Sequence, residues 1–288
     1  MAILIELTVR FGLGKASRIE GRIESEYRTV LAIKGSSGGG PNTLVVLGNS
    51  LLLEGVDFPV LKQSLAPDIQ ATRLVIEQTD YLDWYYGLRK FYNRGVHPDV
   101  VALNLTAVQM VRDNIRGEYF AYRMMNTRDV FRAASDAKLS ATGTFSLFLG
   151  NLSAFYGTRG ETRKFVLSKL IPGVGQLISA IVPMDVARPL DHEPAVASMC
   201  QRLRIVDALV RANGGRFILI QPASLNLPGM QYLSEAGAKT GVQVLTPLPV
   251  EALSRSDFRD GFHLTPEGAS RYTAALAPML RDAIGSRF

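Results

Sequence analysis

Two short stretches of this chain carry side chains that could share nucleophilic chemistry. The first is Gly48-Asn49-Ser50, directly after the apolar run Thr43 to Leu47. A serine that leaves a strand and opens a helix meets unpaired backbone N–H groups and the positive end of the helix dipole, and both stabilise an oxyanion. The glycine before it permits close approach of a substrate or loop. The tripeptide also reads as a plain helix start with Ser50 as N-cap. The second stretch, Arg259 to Gly268, places Asp260 three residues before His263. A carboxylate there can accept the imidazole Nδ1 proton and leave Nε2 free as a base. By itself the stretch is an Asp-Gly turn followed by a surface histidine. Brought to one end of one sheet, Ser50, His263 and Asp260 make a nucleophile, a base and an orienting acid.

The other candidates compete poorly. His97, in Gly95-Val96-His97-Pro98-Asp99, precedes a strand and belongs at the opposite end of the sheet. His192, in Asp191-His192-Glu193-Pro194, has carboxylates beside it and is the alternative base. With three scattered histidines and the single Cys200, no zinc-type ligand cluster and no intramolecular disulfide is expected, so the expected mechanism uses no metal and no cofactor. Tyr81, Trp84, Tyr85 and Tyr86 read as packing on a helix, with Tyr81 and Trp84 near enough to the site end to line a pocket. Asp80 and Asp83 favour that helix's positive end.

These residues need elements to position them. Five runs read as strands covered on both faces: Thr43 to Leu47, Thr72 to Glu77, Asp99 to Leu105, Arg216 to Gln221 and Val242 to Leu245. Each is rich in Val, Ile, Leu or Phe, lacks strict alternation and is bounded by turn residues. Helix-length segments lie between them, which predicts a five-stranded parallel sheet in a flavodoxin-like three-layer α/β/α fold. Ligands of such sheets gather at the carboxyl ends of the strands. Ala195 to Asn213 reads as a helix stopped by Gly214 and Gly215. Thr265-Pro266-Glu267 opens the last helix, with Thr265 as N-cap and Pro278 as an internal kink.

Residues 1–40 read as an N-terminal helical segment and linker, and 41–288 as one domain with a helical insertion at about 111–190. The run Gly35 to Gly40 precedes the first strand, so it reads as a connector and not as a phosphate loop. The insertion leaves the chain just after the third strand, and a cap over the site is expected of it. Within it, Phe165 to Ile178 is apolar but broken by Lys169, Pro172 and two glycines. That pattern suits an interfacial hairpin, and with it a peripheral membrane contact, better than a spanning helix.

On these residues the chain resembles the SGNH, or GDSL-type, hydrolase family. VVLGNSLLLEGVD looks like its first block, with Asn49 where most members carry Asp, and FRDGFHLTPEGASRY is similar to its last block, Asp-x-x-His followed by the Leu-Thr-Pro-x-Gly helix start. The resemblance covers roughly residues 41–110 and 195–285. It implies Ser50 as nucleophile, His263 as base and Asp260 as orienting acid. Members include esterases, lipases, thioesterases, carbohydrate deacetylases and some O-acyltransferases. The family's oxyanion-hole Gly and Asn are not in place here, since the second strand runs out at Glu77-Gln78-Thr79 and the third at Leu105 to Gln109. Thr106 and Gln109 are substitute donors, and Asn104 is one if the strand ends early. A serine esterase acting on a small-molecule or glycan ester is therefore expected. O-acyl transfer to a saccharide or cell-envelope polymer, and an inactive binding module that keeps the fold, are the alternatives.

Composition bounds the rest. Of 288 residues, 47% are hydrophobic and 20% charged, which fits a folded globular chain. The net charge of +6, from 32 basic and 26 acidic residues, is spread through the chain, so nucleic-acid binding is not expected. Glu6 and Arg10 interrupt the apolar start, which also lacks the basic n-region and cleavage site of a signal peptide. A cytoplasmic or membrane-peripheral location is expected, and oligomeric state is not legible.

Overall fold

The computed structural model describes residues 2–35, 40–171, 189–225 and 227–285. Five parallel strands, β1 (Asn42–Gly48), β2 (Ile69–Val75), β3 (Val100–Asn104), β4 (Arg216–Ile220) and β5 (Gln243–Leu245), form one sheet in the order β2-β1-β3-β4-β5. This is the order of the flavodoxin-like three-layer arrangement, and its direction reverses beside β1. Alternate residues face opposite sides. Val45, Leu47, Leu74, Val101, Leu103, Phe217 and Leu219 enter one core, whereas Leu44, Val46, Ala71, Ala102, Ile218 and Ile220 enter the other. Because both cores are apolar, the strands show no alternation in sequence.

Two short helices after β1, α3 (Ser50–Gly55) and α4 (Phe58–Leu65), join the last helix of the chain on one face. The opposite face holds α5 (Tyr81–Asn93), after β2, and α6 (Ala107–Val111), after β3. The insertion supplies α7 (Glu118–Met124), α8 (Val130–Asp136), α9 (Ala141–Leu152) and α10 (Ala154–Leu170). The long helix α11 (His192–Ala212) and then α12 (Met230–Thr240) complete that face, and α13 (Pro266–Gly285) closes the chain on the α3 side. Gly268 N–H bonds the Thr265 hydroxyl at 3.2 Å, so Thr265 caps α13 as its sequence predicts.

The N-terminal residues form α1 (Ala2–Ala16) and α2 (Arg18–Leu31), and α2 lies along the edge strand β2. Near the carboxyl end of that strand, Glu26 accepts the Val75 N–H at 2.9 Å and Arg22 donates to the Val75 carbonyl at 3.0 Å. Two side chains thus satisfy backbone groups that an edge strand otherwise leaves open.

Several expectations are corrected. β2 spans Ile69–Val75 and not Thr72 to Glu77: Asn42 pairs with Ile69, and Gln78, with φ 61°, turns the chain away after Ile76. The helix expected from Ala195 begins at His192. The described helices of the insertion pack beside α5. Tyr119, Phe120 and Met124 of α7 share the core with Trp84 and Tyr86 of α5, and Phe120 meets Trp84 edge to face at 5.9 Å. Burying that stripe draws the bundle against α5, and α10 against α1. Phe165 to Leu170 continues α10 and is not a hairpin, while residues 172–178 of that apolar segment lie outside the described residues. Most of the glycine run, residues 36–39, also lies outside them.

Candidate active site

The register aligns the strand ends. Gly48 pairs with Val75 on one side and Asn104 on the other, Asn104 with Ile220, and Ile220 with Leu245. Everything that follows these five residues emerges at one rim. Ser50 is two residues past β1, at the strand where the order reverses.

Asn49, not Ser50, caps α3. Its Oδ1 accepts the Leu51 N–H at 3.0 Å, so Ser50 becomes the first helical residue with its hydroxyl uncommitted to capping. The Asn49 amide donates to the Thr79 carbonyl at 3.0 Å. Thr79 is held in turn by Trp84, whose Nε1 donates to Thr79 Oγ1 at 3.0 Å, and by its own hydroxyl, which donates to the Ile76 carbonyl at 2.7 Å. All three of Asn49, Thr79 and Trp84 are buried. A carboxylate at position 49 could cap α3 but could not donate to Thr79, which accounts for Asn in this chain. Gly48 is required by proximity: a Cβ there would stand 2.9 Å from the Leu52 Cβ and 3.1 Å from the Asn104 carbonyl.

The Asp260 to His263 turn reaches Ser50 from the far end of the chain. Asp260 Oδ1 accepts the backbone N–H groups of Phe262 and His263 at 3.1 and 2.8 Å. Gly261, at φ 85°, supplies the left-handed residue that this tight turn needs. The turn is clamped by Arg259 N–H to the His263 carbonyl at 2.9 Å and by a bridge between Phe258 and Leu264. Asp260 Oδ2 lies 2.8 Å from His263 Nδ1, and His263 Nε2 lies 3.1 Å from Ser50 Oγ. Burial tends to raise the Asp260 carboxyl, but the N–H and imidazole of His263 and the Phe262 N–H outweigh it and hold it at about 2. Arg259 pairs with Glu54 at 2.5 Å, which braces the turn against α3.

The other expected residues have partners of their own. β3 ends at Asn104, early as the alternative required, but that side chain is 1% exposed and its amide donates to the Ile220 carbonyl at 3.4 Å. Thr106 and Gln109 form a capping box for α6: the Thr106 hydroxyl accepts the Gln109 N–H at 3.2 Å, and Gln109 Oε1 accepts the Thr106 N–H at 3.0 Å. His192 pairs with Glu235 at 2.7 Å on α12, and His97 lies 3.4 Å from the Asn213 carbonyl at the amino end of the sheet. Trp84, Tyr86 and Tyr81 are buried as packing. Among the described residues no three His, Cys, Asp or Glu side chains gather as metal ligands do.

Sequence reasoning missed the Asn49 to Thr79 bond and the Arg259 to Glu54 brace. The only signal for the first was the polar pair Gln78-Thr79 between apolar segments.

The chain matches no family model and no curated protein. Seventeen chains of solved structures are similar to it, two of them as follows. One, described as TesA, is 13% identical, with a TM-score of 0.41 over 84% of this chain and 99% of that one. The other, a Streptococcus pneumonia protein provisionally described as a platelet activating factor, is 12% identical, with a TM-score of 0.40 over 97% of this chain and 99% of that one.

Proposed function

We propose that the chain is a serine esterase of SGNH type, with Ser50 as nucleophile, His263 as base and Asp260 as orienting acid. The observation that carries this reading is the continuous hydrogen-bond chain from Asp260 Oδ2 through both imidazole nitrogens to Ser50 Oγ. Asp260 holds the proton on Nδ1, so Nε2 is the nitrogen with a lone pair facing the serine.

In the proposed reaction Ser50 Oγ attacks the ester carbonyl carbon as its proton passes to His263 Nε2. The tetrahedral intermediate collapses, and the leaving alkoxide takes that proton and departs as the alcohol. Water then attacks the acyl-serine, giving one proton to His263, and collapse returns it to Ser50 as the acid leaves. The Ser50 N–H, at a helix start that lacks an intrahelical acceptor for it, is the oxyanion donor we assign. The Asn104 amide is buried and turned to the Ile220 carbonyl, whereas Thr106 and Gln109 only accept in their capping box and keep the hydroxyl proton and the amide N–H groups as further candidate donors.

The test is labelling of the full chain with a fluorophosphonate, followed by peptide mapping. Modification confined to Ser50 is expected. A folded chain left unlabelled, or labelled elsewhere, overturns the esterase reading and favours a binding module.

A further inference from the structure

The helix α1 is apolar, yet it is left largely uncovered. Ile3, Leu4 and Phe11 are 78%, 69% and 67% exposed, and Leu7 is 45% exposed. Leu4, Leu7 and Phe11 stand at i, i+3 and i+7, so they form one stripe, and Ile3 widens it. Across a groove of about 550 Å³, Leu152 and Phe155 at the junction of α9 and α10 extend the patch, themselves 56% and 45% exposed. A patch of this kind is uncommon on a surface that meets only water.

The helix is tied to α10. Glu6, its only acid, turns inward and caps α10: its carboxylate accepts the Ser153 hydroxyl at 2.8 Å and the Ala154 and Phe155 N–H groups at 2.6 and 3.0 Å. On the other side Leu13 is buried. Once Glu6 is committed, the charges left on residues 2–19 are Arg10, Lys15 and Arg18, and all three are exposed. The face is thus apolar with a cationic margin.

We propose that this face docks on an anionic lipid bilayer, with Leu4, Leu7 and Phe11 entering the headgroup boundary and Arg10, Lys15 and Arg18 meeting lipid phosphates. The charge pattern favours lipid over a second copy of the chain. A twofold contact through the same face would set like-charged margins against each other, whereas an anionic surface offers each of them a counter-charge. No helix among the described residues is long and apolar enough to cross a membrane, so the contact is one of lying on the surface. The proposal stands apart from the esterase reading, because none of its residues belongs to the Ser50 site.

The test is co-sedimentation of the full chain with phosphatidylcholine vesicles, with and without phosphatidylglycerol, at about 0.1 M salt. Binding to the anionic vesicles is expected, at least about tenfold weaker on phosphatidylcholine alone. L4E/F11E should lower it at least about tenfold, R10E/K15E should lower it and remove its salt dependence, and Ile205→Glu, on α11, should leave it unchanged. Circular dichroism checks each fold. If L4E/F11E does not fold, the exposed charge variant R10E/K15E decides. The proposal is overturned by absence of binding to anionic vesicles, by variants that bind like the parent, or by a dimer in light scattering that R10E/K15E strengthens and L4E/F11E dissolves.

Discussion

His263 Nε2 lies 3.1 Å from Ser50 Oγ although 213 residues separate the two. The sheet register brings them together. Ser50 leaves the carboxyl end of β1 and the 257–265 turn follows the carboxyl end of β5, so both belong to one rim. The turn then spans that rim under its own hydrogen bonds and the Arg259 to Glu54 brace.

If that contact is catalytic, Ser50→Ala and His263→Ala should each lower hydrolysis of a short p-nitrophenyl ester by about four to six orders of magnitude. Asp260→Asn should cost about four, because the imidazole loses its fixed tautomer. His97→Ala and His192→Ala should stay near the parent, since their partners are Asn213 and Glu235. A folded His192→Ala enzyme that is severely impaired while His263→Ala is nearly normal would refute the assignment.

Asn49 is predicted to act through the position of Ser50. Asn49→Asp keeps the cap on Leu51 but sets a carboxylate against the Thr79 carbonyl, and Asn49→Ala leaves both groups unpaired. Each should cost about 1–3 kcal/mol of stability, the usual range for a buried polar group stranded without a partner. Denaturant melts read the cost. Equal stability of all three proteins would mean that the bond to Thr79 contributes nothing.

The sheet was legible because its strands are buried on both faces, so Leu44 to Leu47 and Val100 to Leu103 stand out as apolar runs whatever their neighbours. The Ser50 and His263 stretches were legible for a related reason: strand ends fix which loops share a rim. Bonds made by single side chains across long separations were not. Glu6 caps α10 from 148 residues away, and Arg22 reaches Val75 across 53. Neither partner leaves a pattern in its own neighbourhood. The insertion was legible as helix but its packing partner was not, because the stripe on α7 says that a face is buried without saying that α5 buries it.

Asp260 should leave a signature in acid. Its folded carboxyl is held at about 2, below the ordinary 3.8, so the ionised form is favoured by folding. The stability this adds is present in full above the unfolded value and is lost as pH falls through 3.8 towards 2. The difference in unfolding free energy between the parent and Asp260→Asn should therefore be constant at neutral pH and shrink on acidification. Denaturant melts at several pH values measure it, and a difference that does not change with pH would mean that these bonds do not depress the carboxyl.

Asp83 should behave in the opposite sense. It is fully buried at the start of α5, where its oxygens accept the N–H groups of Asp80 and Arg116, both at 2.9 Å. Burial nevertheless pushes its carboxyl up from 3.8 to about 8, against those two donors and the Arg116 charge, with the Asp80 carboxylate adding to the rise. Between these two values the folded chain keeps a proton that the unfolded chain has released. The unfolded state then binds fewer protons, so stability falls as pH rises from about 4 to about 8 and levels off above. Asp83→Asn removes the titration but leaves one of the two N–H groups without its acceptor. Its deficit against the parent should thus be greatest near pH 4 and diminish towards pH 8. Carbon-13 NMR of the Asp83 carboxyl gives the direct reading: a midpoint near 8 is expected, and one near 3.8 would mean that the two backbone donors fully offset the burial.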